Sequence, residues 1–166
     1  MNERFKLKGK FVVECFDKLG NLKWKEAISN LVVNEGLDLS LDIIFGVTAK
    51  PTWYVGLIRD DNYTGIVAGD TMASHGGWEE ADEYSESTRP TITFGTASGQ
   101  ETSNGTPIYF SCNATETMKG AFLTTNNTKS GTAGKLWCAA LSDGGDQVVN
   151  NGDVVKVMYY AASSAS

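Results

Sequence analysis

The side chains that most often do chemistry are few in this chain, and their settings are poor ones for catalysis. Its single histidine, His75, lies in Ser74-His75-Gly76-Gly77-Trp78. A general base needs a partner and a cleft, and a histidine flanked by glycines reads as a loop residue. No Gly-x-Ser-x-Gly elbow is present to expose a serine nucleophile. Gly131-Thr132-Ala133-Gly134-Lys135-Leu136 superficially resembles a phosphate loop, but its first glycine is misplaced and Leu136 stands where a metal-binding Ser or Thr is needed. Cys15, Cys112 and Cys138 are widely spaced and form no CxxC pair, so they are expected as reduced, buried thiols. The expectation is a protein with no catalytic residues and no cofactor, hence not an enzyme.

Two groups of side chains suit binding better. The run Glu79-Glu80-Ala81-Asp82-Glu83, with Glu86 close behind, offers oxygen ligands of the kind Ca²⁺ takes, but lacks the Asp-x-Asp-x-Asp-Gly spacing that wraps an ion. No metal site is assigned, and a basic partner is the better reading. Trp53, Tyr54, Tyr63, Trp78 and Tyr84 cluster around the same stretch, and such residues anchor interfaces or stack on sugars. Trp53, in a strand, is expected in the core. Trp78, among glycines and acids, is expected as an exposed anchor.

Net charge is −6 over 166 residues, which argues against a nucleic-acid partner. The average hides a pattern. Residues 1–26 carry seven basic and four acidic groups, residues 27–88 two and eleven, and the remainder five of each. Lys6, Lys8 and Lys10 are therefore candidates for pairing with a neighbouring copy's acidic residues. The partner-binding candidates are Trp78, Glu79, Glu80, Asp82, Glu83, Tyr84, Lys6, Lys8 and Lys10. No run of 18 apolar residues and no apolar signal region occurs, so neither a membrane partner nor export is expected. The four Asn-x-Thr sequons, at Asn62, Asn104, Asn113 and Asn126, then read as by-products of composition.

The elements that must position these residues are mostly strands. Residues 5–16 alternate, with Phe5, Leu7, Phe11, Val13 and Cys15 on one face and Lys6, Lys8, Lys10 and Glu14 on the other. With Leu22, Trp24 and Ile28 after a Leu19-Gly20-Asn21 turn, they predict an N-terminal β-hairpin arm over residues 1–28. Asn34 is placed to cap one short α-helix at about residues 35–45, whose stripe of Leu37, Leu41, Ile44 and Phe45 is expected to pack across a sheet. Trp53–Ile58 is apolar on both faces, so both sides of that strand should be covered. Residues 59–88 read as a long acidic loop. Strands are expected at Thr91–Gly95, Pro107–Cys112, Met118–Thr124, Leu136–Leu141 and Asp153–Tyr160, divided by turns such as Asp143-Gly144-Gly145. Ala161–Ser166 is a small-residue tail expected to fray unless a neighbour holds it. The sum is mainly β: a single jelly-roll-like or β-sandwich domain over residues 1–166.

Several stretches, taken in order, resemble a family of small structural proteins of tailed-bacteriophage virions. They are Asn30-Leu31-Val32-Val33-Asn34-Glu35-Gly36-Leu37 running on to Ile43-Ile44-Phe45-Gly46, then Thr52-Trp53-Tyr54-Val55-Gly56-Leu57-Ile58. Trp78-Glu79-Glu80, Tyr84-x-Glu86-x-x-Arg89-Pro90 and Gly120-Ala121-Phe122-Leu123 follow, so the likeness spans roughly residues 28–125. The resemblance implies a non-enzymatic capsid decoration or cement protein that binds and stabilises the shell of the major capsid protein. It implies a location on the capsid exterior after synthesis in the host cytoplasm, and self-association as a homodimer or homotrimer. The alternative is a tail-associated receptor- or carbohydrate-binding module using Trp53, Tyr54, Trp78 and Tyr84.

Overall fold

A computed structural model describes residues 5–144 and 147–165 of the chain. Residues 1–4 of the expected arm, Gly145 of the expected turn and Ser166 of the expected tail lie outside the described residues. The alternation at the start produces the expected hairpin: β1 (Phe5–Phe16) pairs antiparallel with β2 (Leu22–Ser29). The Asp17 carboxylate closes the turn by accepting the Leu19 and Asn21 backbone N–H groups. After β3 (Leu31–Val32) and α1 (Asn34–Ile44) come β4 (Trp53–Arg59), β5 (Glu79–Ala81) and β6 (Thr91–Ile92). The chain continues through β7 (Glu101–Ser103), β8 (Ile108–Ser111), β9 (Glu116–Thr124), β10 (Leu136–Leu141), β11 (Gln147–Val149) and β12 (Val154–Ala165).

These strands make a β-sandwich of two antiparallel sheets with a single short helix. One sheet runs β2-β1-β12-β7, with β8 also on β12. The other runs β3-β10-β9-β4-β5, with β11 on β9 and β6 on β4. The period of two decides what lies between them. Phe11, Val13 and Cys15 of β1 and Val155, Val157 and Tyr159 of β12 meet Val55, Leu57, Ala121, Leu123 and Cys138 from the facing sheet.

The seven-stranded sheet has a second core on its outer side. Ile58, Phe122, Leu136 and Ala139 pack there with Val33, and Met72 and Trp78 of the loop after β4 cover them. The two-faced apolarity of β4 thus has its cause in this cover. Most of the 59–88 segment is irregular, but it is a packed layer rather than a free loop, and β5 lies within it.

Three expectations are corrected here. Asn34 does not cap α1: Val33 holds the N-cap position without a side-chain bond. Instead the Glu35 carboxylate accepts the backbone N–H groups of Leu136 (2.7 Å) and Met72 (3.1 Å), tying the first turn to β10 and to the loop. The helix also rolls the other way. Gly36 and Leu39 face inward, while Leu37, Leu41, Ile44 and Phe45 are exposed. Gly36 sets this roll, because any side chain there would overlap the Trp137 carbonyl. The Trp137 indole N–H then donates to the Ser40 hydroxyl at 2.9 Å, fixing the same face. Finally, residues 161–165 do not fray. They extend β12, with Phe5 opposite Ala165 along one unbroken register.

Candidate functional site

The acidic run is held by partners from distant parts of the chain. Glu80 receives the buried Arg89 guanidinium on both oxygens, at 2.9 and 2.6 Å, and also accepts the Ser130 N–H. Arg89 itself reaches the carbonyls of Asn126 (3.0 Å) and Gly131 (2.7 Å) and lies over the Phe122 ring. Glu79 pairs with Arg59, which holds its carboxyl below the usual carboxylate range. Asp82 accepts the Ser130 hydroxyl at 2.7 Å, and Glu86 accepts the backbone N–H and hydroxyl of Ser111. Glu83 remains exposed. The run therefore stitches the loop to the β9–β10 connection more than it presents charge.

The aromatic candidates divide the same way. Trp78 is 2% exposed; it stacks on His75 (3.9 Å) and meets the Phe122 ring at a tilt (5.1 Å), its indole N–H donating to Asp70 at 3.2 Å. Tyr84 is 1% exposed beneath the Lys129 ammonium, 4.0 Å from the ring centroid. Trp78 was expected as an exposed anchor and Tyr84 as a partner-binding residue, and both are core residues. Flanking glycines suggested an exposed tryptophan, but the uncovered outer face of β4 and β9 takes it in. Trp53 and Tyr54 are half-buried, so the four do not form an exposed sugar-stacking platform. His75 lends its ring to this stack, and its Nδ1 lies 3.2 Å from the Trp78 carbonyl oxygen.

Lys6, Lys8 and Lys10 are exposed along β1, on the face turned away from the sandwich interior. They do not meet the acidic run, which lies over the other sheet. What periodicity alone missed is the exposed ridge on α1: Phe45 is 76% exposed, Ile44 58% and Leu41 50%. The stripe was legible, but its direction depended on Trp137, almost a hundred residues away.

The three thiols are free and buried, and burial pushes each up to about 12, far from the thiolate form at neutral pH. Among the described residues no three His, Cys, Asp or Glu side chains are gathered in a way that could hold a metal ion. Glu116, at the start of β9, is different. Burial pushes its carboxyl up to about 7, opposed by Arg59 and reinforced by Asp82, Glu83 and Asp61, and its Oε2 lacks a hydrogen-bond partner among the described residues. The folded chain therefore keeps a proton that the unfolded chain releases near pH 4.5. The unfolded state binds fewer protons in that window, so this group lowers stability as pH rises through it. Glu116→Gln is expected to raise Tm at about pH 8 and to flatten its decline from about pH 5, read by thermal unfolding across that range.

No protein-family model matches the chain, and no curated protein matches it either.

Proposed function

We propose that this chain is a non-enzymatic structural protein of a tailed-phage virion, a decoration or cement subunit that binds the outside of the major capsid protein shell and stabilises it. One observation carries the reading. The stretches that resemble that family are far apart in sequence, yet they pack on one another. Phe122 of the Gly120–Leu123 stretch receives Trp78 on one side of its ring, and its ring occupies the space that Gly56 leaves open. Arg89 of the fourth stretch closes on Glu80 of the third and on the same phenylalanine. The likeness therefore covers one contiguous unit, the seven-stranded sheet with its loop cover.

The chemistry of the surface supports the same role. Most of the carboxylates and aromatics that the sequence offered for binding hold the fold together, while the exposed features include an apolar ridge on α1 and a row of lysines on β1. Both features suit contact with another protein. Such a subunit acts by burying surface across its neighbours, and its stabilising effect follows from binding only the assembled state.

Mixing the purified protein with undecorated capsids tests this directly. Binding at micromolar concentration, with capsids more resistant to heat, is the expected result. Failure to bind there, or specific glycan binding with coat association absent, overturns it.

A further inference from the structure

The ladder registers define a second surface, the outer face of the five-stranded sheet. Lys10 lies opposite Tyr160 on β12 and Ser29 on β2, Val12 opposite Met158 and Ala27, and Lys8 opposite Ala162. Residues directly opposite one another share a face, so these side chains form one outward field, with Val12, Met158 and Ala162 half-buried among exposed neighbours. Within it opens a shallow hollow of about 260 Å³, its lining including Lys8, Lys10, Ser29, Tyr160 and Ala162, with Glu101 at the far side. The Lys10 ammonium lies over the Tyr160 ring, 5.3 Å from its centroid.

On α1 the exposed stripe of Leu37, Leu41, Ile44 and Phe45 has acidic neighbours on one flank only. At 3.6 residues per turn, Asp38 and Asp42 fall beside Phe45, next to the stripe. Among the described residues neither carboxylate is in an ion pair, and neither are Lys6, Lys8 and Lys10.

We propose that two copies of this chain associate head-to-tail, the α1 ridge of one seating in the lysine-walled hollow of the next. Phe45 is the knob, and Asp38 and Asp42 come against Lys8 and Lys10. Charge selects this occupant. Two ridges repel through Asp38 and Asp42, and two hollows repel because Lys8 and Lys10 outnumber the one carboxylate in the lining, Glu101, whereas ridge and hollow attract each other. The two patches cannot meet within one chain. Ile43 and Ile44 line a cavity with the inward-facing Leu7, Tyr159 and Ala161, so the helix lies on the inner side of the sheet whose outer side carries the lysines. The contact is therefore heterologous, and it closes into a ring or continues as a filament according to its rotation.

This inference names the self-partner of the assembly role proposed above, and the two fail separately, because sedimentation reads self-association without any capsid. The test uses a ridge variant, Phe45→Glu, and a hollow variant, Lys8→Glu with Lys10→Glu. All three positions are exposed, and unchanged circular dichroism and melting establish that both variants fold. The wild type is expected to sediment as species larger than a monomer in the micromolar range. Each variant alone is expected to weaken that association by about tenfold or more, with the wild-type contact also weaker at high salt. An equimolar mixture of the two variants is expected to form a dimer of one copy each, since one intact ridge and one intact hollow remain. A wild type that stays monomeric, variants that associate like the wild type, or a mixture that stays monomeric overturns the proposal.

Discussion

Arg89→Ala is expected to destabilise the fold by about 3–5 kcal/mol, the range for removing one partner of a buried ion pair. For a chain of this size that corresponds to a fall in Tm of about 6–20 °C. The reason is the isolation of what remains. Arg89 has no solvent-exposed side-chain surface and Glu80 has 6%, so the truncated pair leaves a carboxylate with little water to replace the guanidinium. The Asn126 and Gly131 carbonyls lose their donor in the same step. Thermal unfolding reads the loss. A double change, Glu80→Gln with Arg89→Met, separates the causes: removing both charges is expected to recover part of the stability. The 126–131 connection should remain untethered in it, visible as faster amide exchange there. If Arg89→Ala costs under about 1 kcal/mol, the pair is behaving as a surface salt bridge and its burial is wrong.

Trp78→Ala carries the other large effect. Removing a buried tryptophan is expected to cost about 3–5 kcal/mol, through lost apolar contact and the cavity left over Phe122. His75 loses the ring it stacks on, and Asp70 loses its indole donor. Because Met72 and Trp78 hold the loop onto the sheet, limited proteolysis should cut within residues 60–77 of the variant well before the wild type. An exposed anchor would behave in the opposite way, with partner binding lost and Tm unchanged. The two outcomes are read in one melting experiment.

How far the sequence foretold this molecule depends on where each residue's partners lie. β1 and β2 were legible because their alternation of lysines with apolar residues is itself the record of one wet and one dry face. The hydrophobic run of β4 was legible too, and it announced a cover on its second side. That was the signal for burying Trp78, since Ile66, Met72 and Trp78 are the large apolar residues the following loop brings to that face. Irregular spacing hid it. The helix was foreseen but its roll was not, because Gly36 and Ser40 answer to Trp137. β3, β5, β7 and β11 are two or three residues long, too short to show any period. The Ala- and Ser-rich tail had no strand signature of its own; β1 supplies it with a partner. The acidic run gave its charge in sequence but not its Arg59, Arg89 and Ser130 partners.

The pairing of β1 with β12 also sets a timetable. These two strands are zipped along their whole length, yet β2 through β11 are all synthesised between them. At about 5–20 residues per second, the ribosome leaves one edge of β1 unpaired for on the order of ten seconds. During that interval the hairpin with β2 pairs only the other edge of β1. The seven-stranded sheet can assemble meanwhile, since β3 through β11 all precede β12. Completion of the five-stranded sheet thus waits for β12. Chains stalled before residue 154 would expose an apolar strand edge to anything that binds one.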